Sequence, residues 1–344
     1  MALQRFLGTE LPIIQAPMAG AQGSALAVAV CNAGGLGSLP CALLTAQAMR
    51  DELKAIKAGT DRPFNVNFFC HVPPVPSPEQ EARWRAALDP YVHELGIDPG
   101  SISLGPTLPP FNASTLDVLA EFKPAVVSFH FGLPPGELLA RVRGLGAKIL
   151  CSATTVEEAG WLEARGVDAV IAQGLEAGGH RGMFLSEDLT TQVGTLALLP
   201  QVARAVKVPV IAAGGIADAK GVAAAMALGA AGVQVGTAYL LCPETTVDQA
   251  YRDALRSEAA RHTAITNVLS GRPARAIANR VIRELGPISA VAPQFPLAVS
   301  SIGALRSRAE AQGSRDFSPF WCGQNASGCR EIPAGRLTRE LARS

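Results

Sequence analysis

Three short stretches of this sequence join glycine to residues that bind anions or move protons. The first is E-A-G-G-H-R-G, Glu176 to Gly182, directly after the apolar run A-V-I-A-Q-G-L. An imidazole titrates near neutral pH and can either donate to an anion or accept a proton. Two glycines before His180, Gly178 and Gly179, let the chain press close against a ligand. His180 is therefore the candidate catalytic residue, with Glu176 expected to fix the loop through backbone N–H groups and Arg181 expected to be solvated. The other stretches are A-A-G-G-I-A-D (212–218) and Q-V-G-T-A (234–238). Gly214, Gly215, Gly236 and Thr237 stand where backbone N–H groups and a helix start, N-capped by Asp218, would attract a phosphate.

Asn67 and Gln173 end apolar runs, and a buried amide needs partners to which it donates and from which it accepts. A flavin ring edge, with alternating carbonyls and ring nitrogens, suits such amides. An internal hydrogen bond to a neighbouring loop is the competing reading for each. Of the other histidines, His130 closes a strand-like run and could face the same ligand, and His71 reads as structural. His93 and His262 read as exposed helical residues. No histidine pair has the spacing of a metal site, so no metal is expected.

These residues need a scaffold. Eight short apolar runs recur, at 12–18, 35–39, 64–69, 125–130, 148–153, 169–174, 209–215 and 232–237. Helical patterns at 45–58, 114–122, 136–144, 155–165, 194–206 and 218–229 separate most of them. Continuous apolar strands alternating with helices imply a parallel sheet covered on its outer side. Eight units, without a G-x-G-x-x-G after the first strand or a G-x-x-x-x-G-K-[ST] anywhere, predict an α/β fold, the closed (β/α)8 TIM barrel. Its site would lie at the C-terminal strand ends, which here are Ala16-Pro17-Met18, Asn67, His130, Ser152, Gln173, Gly214-Gly215 and Gly236-Thr237.

Two segments break the repeat. Residues 70–111 hold nine prolines and one helical piece near 79–88. Residues 241–334 begin with helical patterns at 247–256 and 273–284. The expected organisation is thus a barrel from 1–69 and 112–240, a Pro-rich insertion after strand 3 at 70–111, and a C-terminal helical cap over substrate at 241–334. A return helix at 335–344 completes the barrel. Insertions this long on a barrel usually roof the site.

With 344 residues, 48% of them hydrophobic, 17% charged and a formal net charge of +1, the chain lacks the basic stripe of a nucleic-acid binder. Seven cysteines at 31, 41, 70, 151, 242, 322 and 329 include no C-x-x-C and read as buried thiols of a reduced, cytoplasmic protein. No apolar run is long enough to span a membrane, and no signal segment is seen. A small molecule is the expected partner, and a monomer or homodimer the expected state.

The ordered set Q-A-P-M-A-G, F-N-V-N-F-F, Q-G-L-E-A-G-G-H-R-G, V-P-V-I-A-A-G-G-I-A-D and G-V-Q-V-G-T-A resembles the nitronate monooxygenases, formerly called 2-nitropropane dioxygenases. N-V-N-F-F-C-H and W-C-G-Q (321–324) resemble the class I branch in particular. The resemblance implies an FMN-dependent oxidation of anionic alkyl nitronates, of the propionate 3-nitronate type, with O2. The products would be a carbonyl compound and nitrite or nitrate, and the role detoxification. It implies FMN binding by Asn67, Gln173, Gly178, Gly215 and Gln234, Val235, Gly236 and Thr237, with His180 in the active site. Phe295 stands where that family leads one to expect tyrosine. Ser301 stands where a larger polar group would line the substrate pocket. The G-x-E-A-G-G-H-x-G pattern also resembles flavin-type enoyl reductases. An FMN-dependent NAD(P)H:quinone or enoyl-thioester reductase is therefore one alternative, and a non-redox phosphate-ligand-binding barrel another.

Overall fold

Inward and outward positions alternate along the barrel strands of the structure, a computed structural model that describes residues 3–102 and 108–343. The strands are β1 (Ile13–Gln15), β2 (Gly37–Pro40), β3 (Phe64–Phe69), β4 (Val126–His130), β5 (Lys148–Ala153), β6 (Ala169–Gln173), β7 (Gly179–His180), β8 (Val210–Ala213), β9 (Gly232–Val235), β10 (Thr263–Thr266) and β11 (Ala274–Ile277). Eight of them form one parallel sheet in the order β1-β9-β8-β6-β5-β4-β3-β2. A parallel bridge between Ile14 and Leu36 joins its two edges, so the sheet is a closed (β/α)8 TIM barrel.

Ile14, Leu36, Val126, Leu150, Ile171 and Ile211 fill the barrel's lower interior together with Leu3 and Leu7. The latter two come from the short helix α1 (Leu3–Leu7). Their outward neighbours, such as Val127, Ile149, Val170 and Val233, pack against the surrounding helices. One layer higher the interior turns polar. Asn65 Nδ2 donates to Ser38 Oγ and Ser128 Oγ, and Asn67 Nδ2 donates to the same Ser128 Oγ. The cavity opens above this layer.

Helices α2 (Ser24–Asn32), α3 (Ala46–Gly59), α4 (Pro78–Leu95), α5 (Ala113–Phe122), α6 (Gly136–Gly144), α7 (Val156–Ala164), α8 (Thr195–Ala205) and α9 (Ala219–Ala227) follow the strands. Local chemistry sets their starts. Thr45, Asn112, Thr155 and Asp218 each accept a backbone N–H of the first turn, and Asn112 forms a full capping box with Thr115. After β9 come α10 (Gln249–Arg256), α11 (Arg280–Glu284), α12 (Ala298–Ala311) and α13 (Ala334–Leu341). The last packs against α2 and α9 and so covers the remaining side of the barrel.

Several elements differ from the sequence reading. The helical piece near 79–88 is the longer α4, which runs on through Pro90. Trp84, Leu88, Tyr91, Val92 and Leu95 keep one apolar stripe on both sides of the proline. That stripe packs on Ile302, Leu305 and Phe317, and this tertiary burial outweighs the local cost of proline. The pattern at 273–284 becomes a strand first and a helix only from Arg280, because β11 is paired on both edges, by β10 and by β7. The 241–334 segment therefore mixes helices with two strands, β10 and β11, which β7 of the barrel portion extends to a three-stranded sheet. It shares one hydrophobic core with the 70–111 insertion, and Trp84 Nε1 donates to Ser301 Oγ at 2.8 Å. Residues 103–107 of that insertion, and Ser344 of the expected 335–344 helix, lie outside the described residues.

Candidate active site

The C-terminal ends of the barrel strands and the cap enclose a cavity of about 600 Å³, within the range typical of small-molecule and cofactor sites. His180 lines it, as do Ala16, Pro17, Met18, Asn67, Gln173, Gly178, Gly179, Gly214, Gly215, Gln234, Gly236 and Thr237. His130 and Ser152 join them. Val235 does not. Strand alternation turns Gln234 and Gly236 inward and sends Val235 into the core between barrel and helices, where it is fully buried. Ser301 is likewise absent from the cavity. Its hydroxyl faces Trp84 and donates to the Ala298 carbonyl. Phe295 does line the cavity.

His180 sits on a strand rather than in a free turn. Gly179 and His180 pair antiparallel with Arg275 and Ala274 of β11, so the cap itself sets the position of the imidazole. The left-handed backbone at Gly179 (φ 72°) makes glycine the natural residue there, although a Cβ would meet nothing within 4 Å. Two donors, Gln173 Nε2 at 3.0 Å and His130 Nε2 at 3.1 Å, hold the His180 carbonyl. Gln173 Oε1 also accepts the Gly182 N–H at 2.7 Å. A Cβ on Gly182 would fall 2.9 Å from both His130 Cε1 and Ser152 Cβ, so the loop passes there only as glycine. Gln173 is thus first a tie for this loop, which leaves one amide hydrogen for a ligand.

The two central histidines are neutral. His130 must donate from Nε2 to the His180 carbonyl, so its Nδ1 accepts from Ser152 Oγ at 3.0 Å. Burial lowers its pKa to about 4. Burial also lowers that of His180 to about 3, helped by repulsion from His130 once that ring is protonated and by the positive charge of Arg272. His180 Nε2 lies 2.8 Å from Ser270 Oγ. A serine hydroxyl both donates and accepts, so Ser270 supports either tautomer of the ring. Sequence reading missed Ser270: it lies 90 positions away in a loop of the cap, and its S-G dipeptide signals only a turn.

Arg181 is the clearest reversal. It is fully buried, not solvated, and donates to the carbonyls of Gln173 and Gly174 and to Gln192 Oε1. Carbonyl acceptors around the planar guanidinium allow this, and its pKa falls only to about 10, so the charge persists. Arg275 clamps the Leu175 carbonyl with two nitrogens, and Arg272 stacks 4.2 Å over Phe131. Glu176 fixes the loop as expected. Its carboxylate accepts the Thr195 N–H and hydroxyl, and its carbonyl accepts the Gln324 N–H. The W-C-G-Q segment closes the same wall, with the Gly323 N–H donating to Thr237 Oγ1 at 3.0 Å and Tyr251 holding the Trp321 carbonyl at 2.5 Å. His71 is not among the cavity-lining residues. Its Nε2 meets the Leu108 carbonyl at 3.1 Å, and its ring stands edge-on to Phe295. His93 and His262 are exposed.

The polar groups around the cavity suit a flat heteroaromatic ring with an anionic tail. Asn67 spends both amide hydrogens on Ser128, which leaves its oxygen as an acceptor. Gln234 Oε1 is buried without a partner among the described residues, an acceptor that a ring N–H would satisfy. Gly214 (φ 118°) and Gly215 (φ 72°) expose backbone where a phosphate would approach. Among the described residues no group of three or more His, Cys, Asp or Glu is placed to share a metal ion. All seven cysteines are free thiols, and no described helix is long and apolar enough to cross a membrane.

Comparison with known proteins agrees with this geometry. The family model described as nitronate monooxygenase matches residues 1–344. The chain is 45% identical to a nitronate monooxygenase of Paraburkholderia phytofirmans, over 99% of this chain and 94% of that protein. It is 44% identical to one of Pseudomonas aeruginosa, over 98% and 97% respectively. A solved nitroalkane oxidase from Streptomyces ansochromogenes superposes with a TM-score of 0.88 at 40% identity, covering 99% of this chain and 97% of that one.

Proposed function

The chain belongs to the nitronate monooxygenase family, and from that premise we propose that it binds FMN and oxidises alkyl nitronates with O2. The products are the carbonyl compound and nitrite or nitrate, and the role is detoxification in the cytoplasm. The observation that carries this reading is the one cavity that a neutral His180 shares with the orphaned Gln234 amide oxygen and the paired glycines that follow β8. Asn67, Gln173 and Gln234 would hold the ring edge, and Gly178, Gly214, Gly215, Gly236 and Thr237 the ribityl phosphate. FMN, when bound, supplies the electron-accepting and oxygen-reducing chemistry.

The protein's own residues bind, orient and shield. A nitronate carries one negative charge, and the nearest fixed cation to His180 is Arg272, stacked on Phe131. His180 Nδ1 has no hydrogen-bond partner among the described residues. Ser270 Oγ lies between His180 Nε2 at 2.8 Å and the Arg272 carbonyl at 3.3 Å; with its one hydrogen turned to Nε2 rather than to that carbonyl, the ring proton is on Nδ1 and is donated to a nitronate oxygen. The aromatic wall keeps water from the anion and strengthens that bond. An imidazole that stays neutral down to about pH 3 is a weak base, which disfavours removal of the α-proton of a neutral nitroalkane. The geometry thus favours preformed nitronates.

The test is direct. Heat-released flavin from the purified protein should be FMN at one per chain, and the holoenzyme should consume O2 with a primary alkyl nitronate. It should do so at least ~10²-fold faster, in kcat/KM, than with the parent nitroalkane. A colourless protein that takes up no FMN would leave the phosphate-ligand-binding barrel as the better reading.

A further inference from the structure

The wall of the cavity beyond His180 is almost free of charge. Four aromatic rings surround the imidazole, with centroids at 5.2 Å for Trp321, 5.3 Å for Phe295, 5.8 Å for Phe131 and 6.0 Å for Phe69. Leu108 and Leu269 extend the apolar surface. Helix α12 then presents Val299, Ile302, Gly303 and Arg306 to the cavity, spaced as one helical face.

Arg306 is the only lysine or arginine among the described residues that line the cavity. It lies two turns from Val299, ~10 Å along the helix axis, and its side chain is 44% exposed at the rim. Its charge is already matched, since Nε donates to Glu310 Oε1 at 2.8 Å. The other charged lining groups are carboxylates, Glu176 and Asp248, each engaged with backbone N–H groups. Residues 103–107 are Ser, Leu, Gly, Pro and Thr and add no cation to the chain there. The positive field of Arg272 serves one negative charge beside His180. A second one, farther along the substrate, meets hydrocarbon.

We infer that this cavity selects nitronates whose substituent is uncharged and apolar, a linear alkyl or aryl group, and discriminates against those bearing a carboxylate. The inference rests on the nitronate reading and narrows it away from substrates of the propionate 3-nitronate type. Burying a carboxylate without a partner is costly, whereas each buried methylene adds a transfer gain equivalent to a factor of about four at most. Gly303 makes the selection testable in both directions. A side chain there meets nothing within 4 Å of its Cβ, and lysine is a better helix former than glycine.

The experiment measures kcat/KM on the FMN-loaded protein for ethyl- through hexyl-1-nitronate and for propionate 3-nitronate, by oxygen consumption. Rates should rise roughly two- to fourfold per methylene until the cavity fills. Propionate 3-nitronate should fall at least ~10-fold below butyl-1-nitronate. Gly303→Lys should raise the ratio of propionate 3-nitronate to butyl-1-nitronate by at least ~10-fold, because it supplies the missing cation. Equal or better use of propionate 3-nitronate by the unmodified protein, no rise with chain length, or an unmoved ratio in Gly303→Lys would overturn the inference while leaving nitronate oxidation in place. Failure to turn over any nitronate would overturn both.

Discussion

His180 owes its character first to burial and then to the groups that face it. Burial keeps it neutral, the charge of Arg272 adds to the effect, and Ser270 accommodates the proton on either ring nitrogen. Replacing His180 by Asn should lower nitronate kcat/KM by ~10²-fold or more while FMN content stays at the wild-type level, measured on the same preparation. A pH profile separates hydrogen bonding from ion pairing. Because His180 is already neutral well below pH 6, kcat/KM for a nitronate should be flat from pH 6 to 8. A fall through that range would mean that an imidazolium holds the anion. The sequence announced His180 because glycines precede it and a strand ends beside it. Ser270 was silent, since only the folded cap brings it across 90 positions. Arg181 was misjudged because an arginine in a polar loop looks solvated until backbone carbonyls are seen to surround it.

At the scale of elements, the barrel strands were legible because both faces of each are covered, so apolar runs ended close to where the strands end. β3 and β5 match their runs residue for residue. The cap was harder to read. A-R-A-I at 274–277 carries no strong periodicity, and its extended form comes from partners on both sides, one of them the two-residue strand that holds His180. Val235 and Ser301 do not line the cavity for a related reason: successive residues on a strand face opposite sides, and on a helix each is turned by about 100° from the last. The shared core of α4 and α12 fixes the helix face that closes the cavity. Trp84→Ala should cost about 3–5 kcal/mol in a urea-unfolding measurement, through the lost indole and the released Ser301 bond. It should also raise KM for nitronates as α12 loosens. Unchanged stability would show that the two insertions are not energetically joined.

Over the whole molecule, the burial of His130 and His180 links folding to pH, and burial shifts His71 in the same direction. His130 and His180 titrate near 4 and 3 in the fold, and near 6.5 when unfolded. Below pH 6.5 the unfolded chain takes up protons that the folded chain refuses, so stability is full above that value and declines as pH falls toward 4. Each histidine contributes a slope of about 1.4 kcal/mol per pH unit. Urea midpoints should therefore drop between pH 6.5 and 5, above the range where exposed carboxylates titrate, and a constant midpoint there would contradict the burial. The central claim is that this cavity holds FMN for reduction by nitronates rather than by a nicotinamide. Anaerobic stopped-flow mixing of the purified holoenzyme with butyl-1-nitronate, and separately with NADH or NADPH, tests it most directly. The account predicts rapid flavin bleaching by the nitronate and none on that timescale by the nicotinamides. Fast bleaching by NADH or NADPH with none by the nitronate would contradict it and establish a reductase on the same barrel.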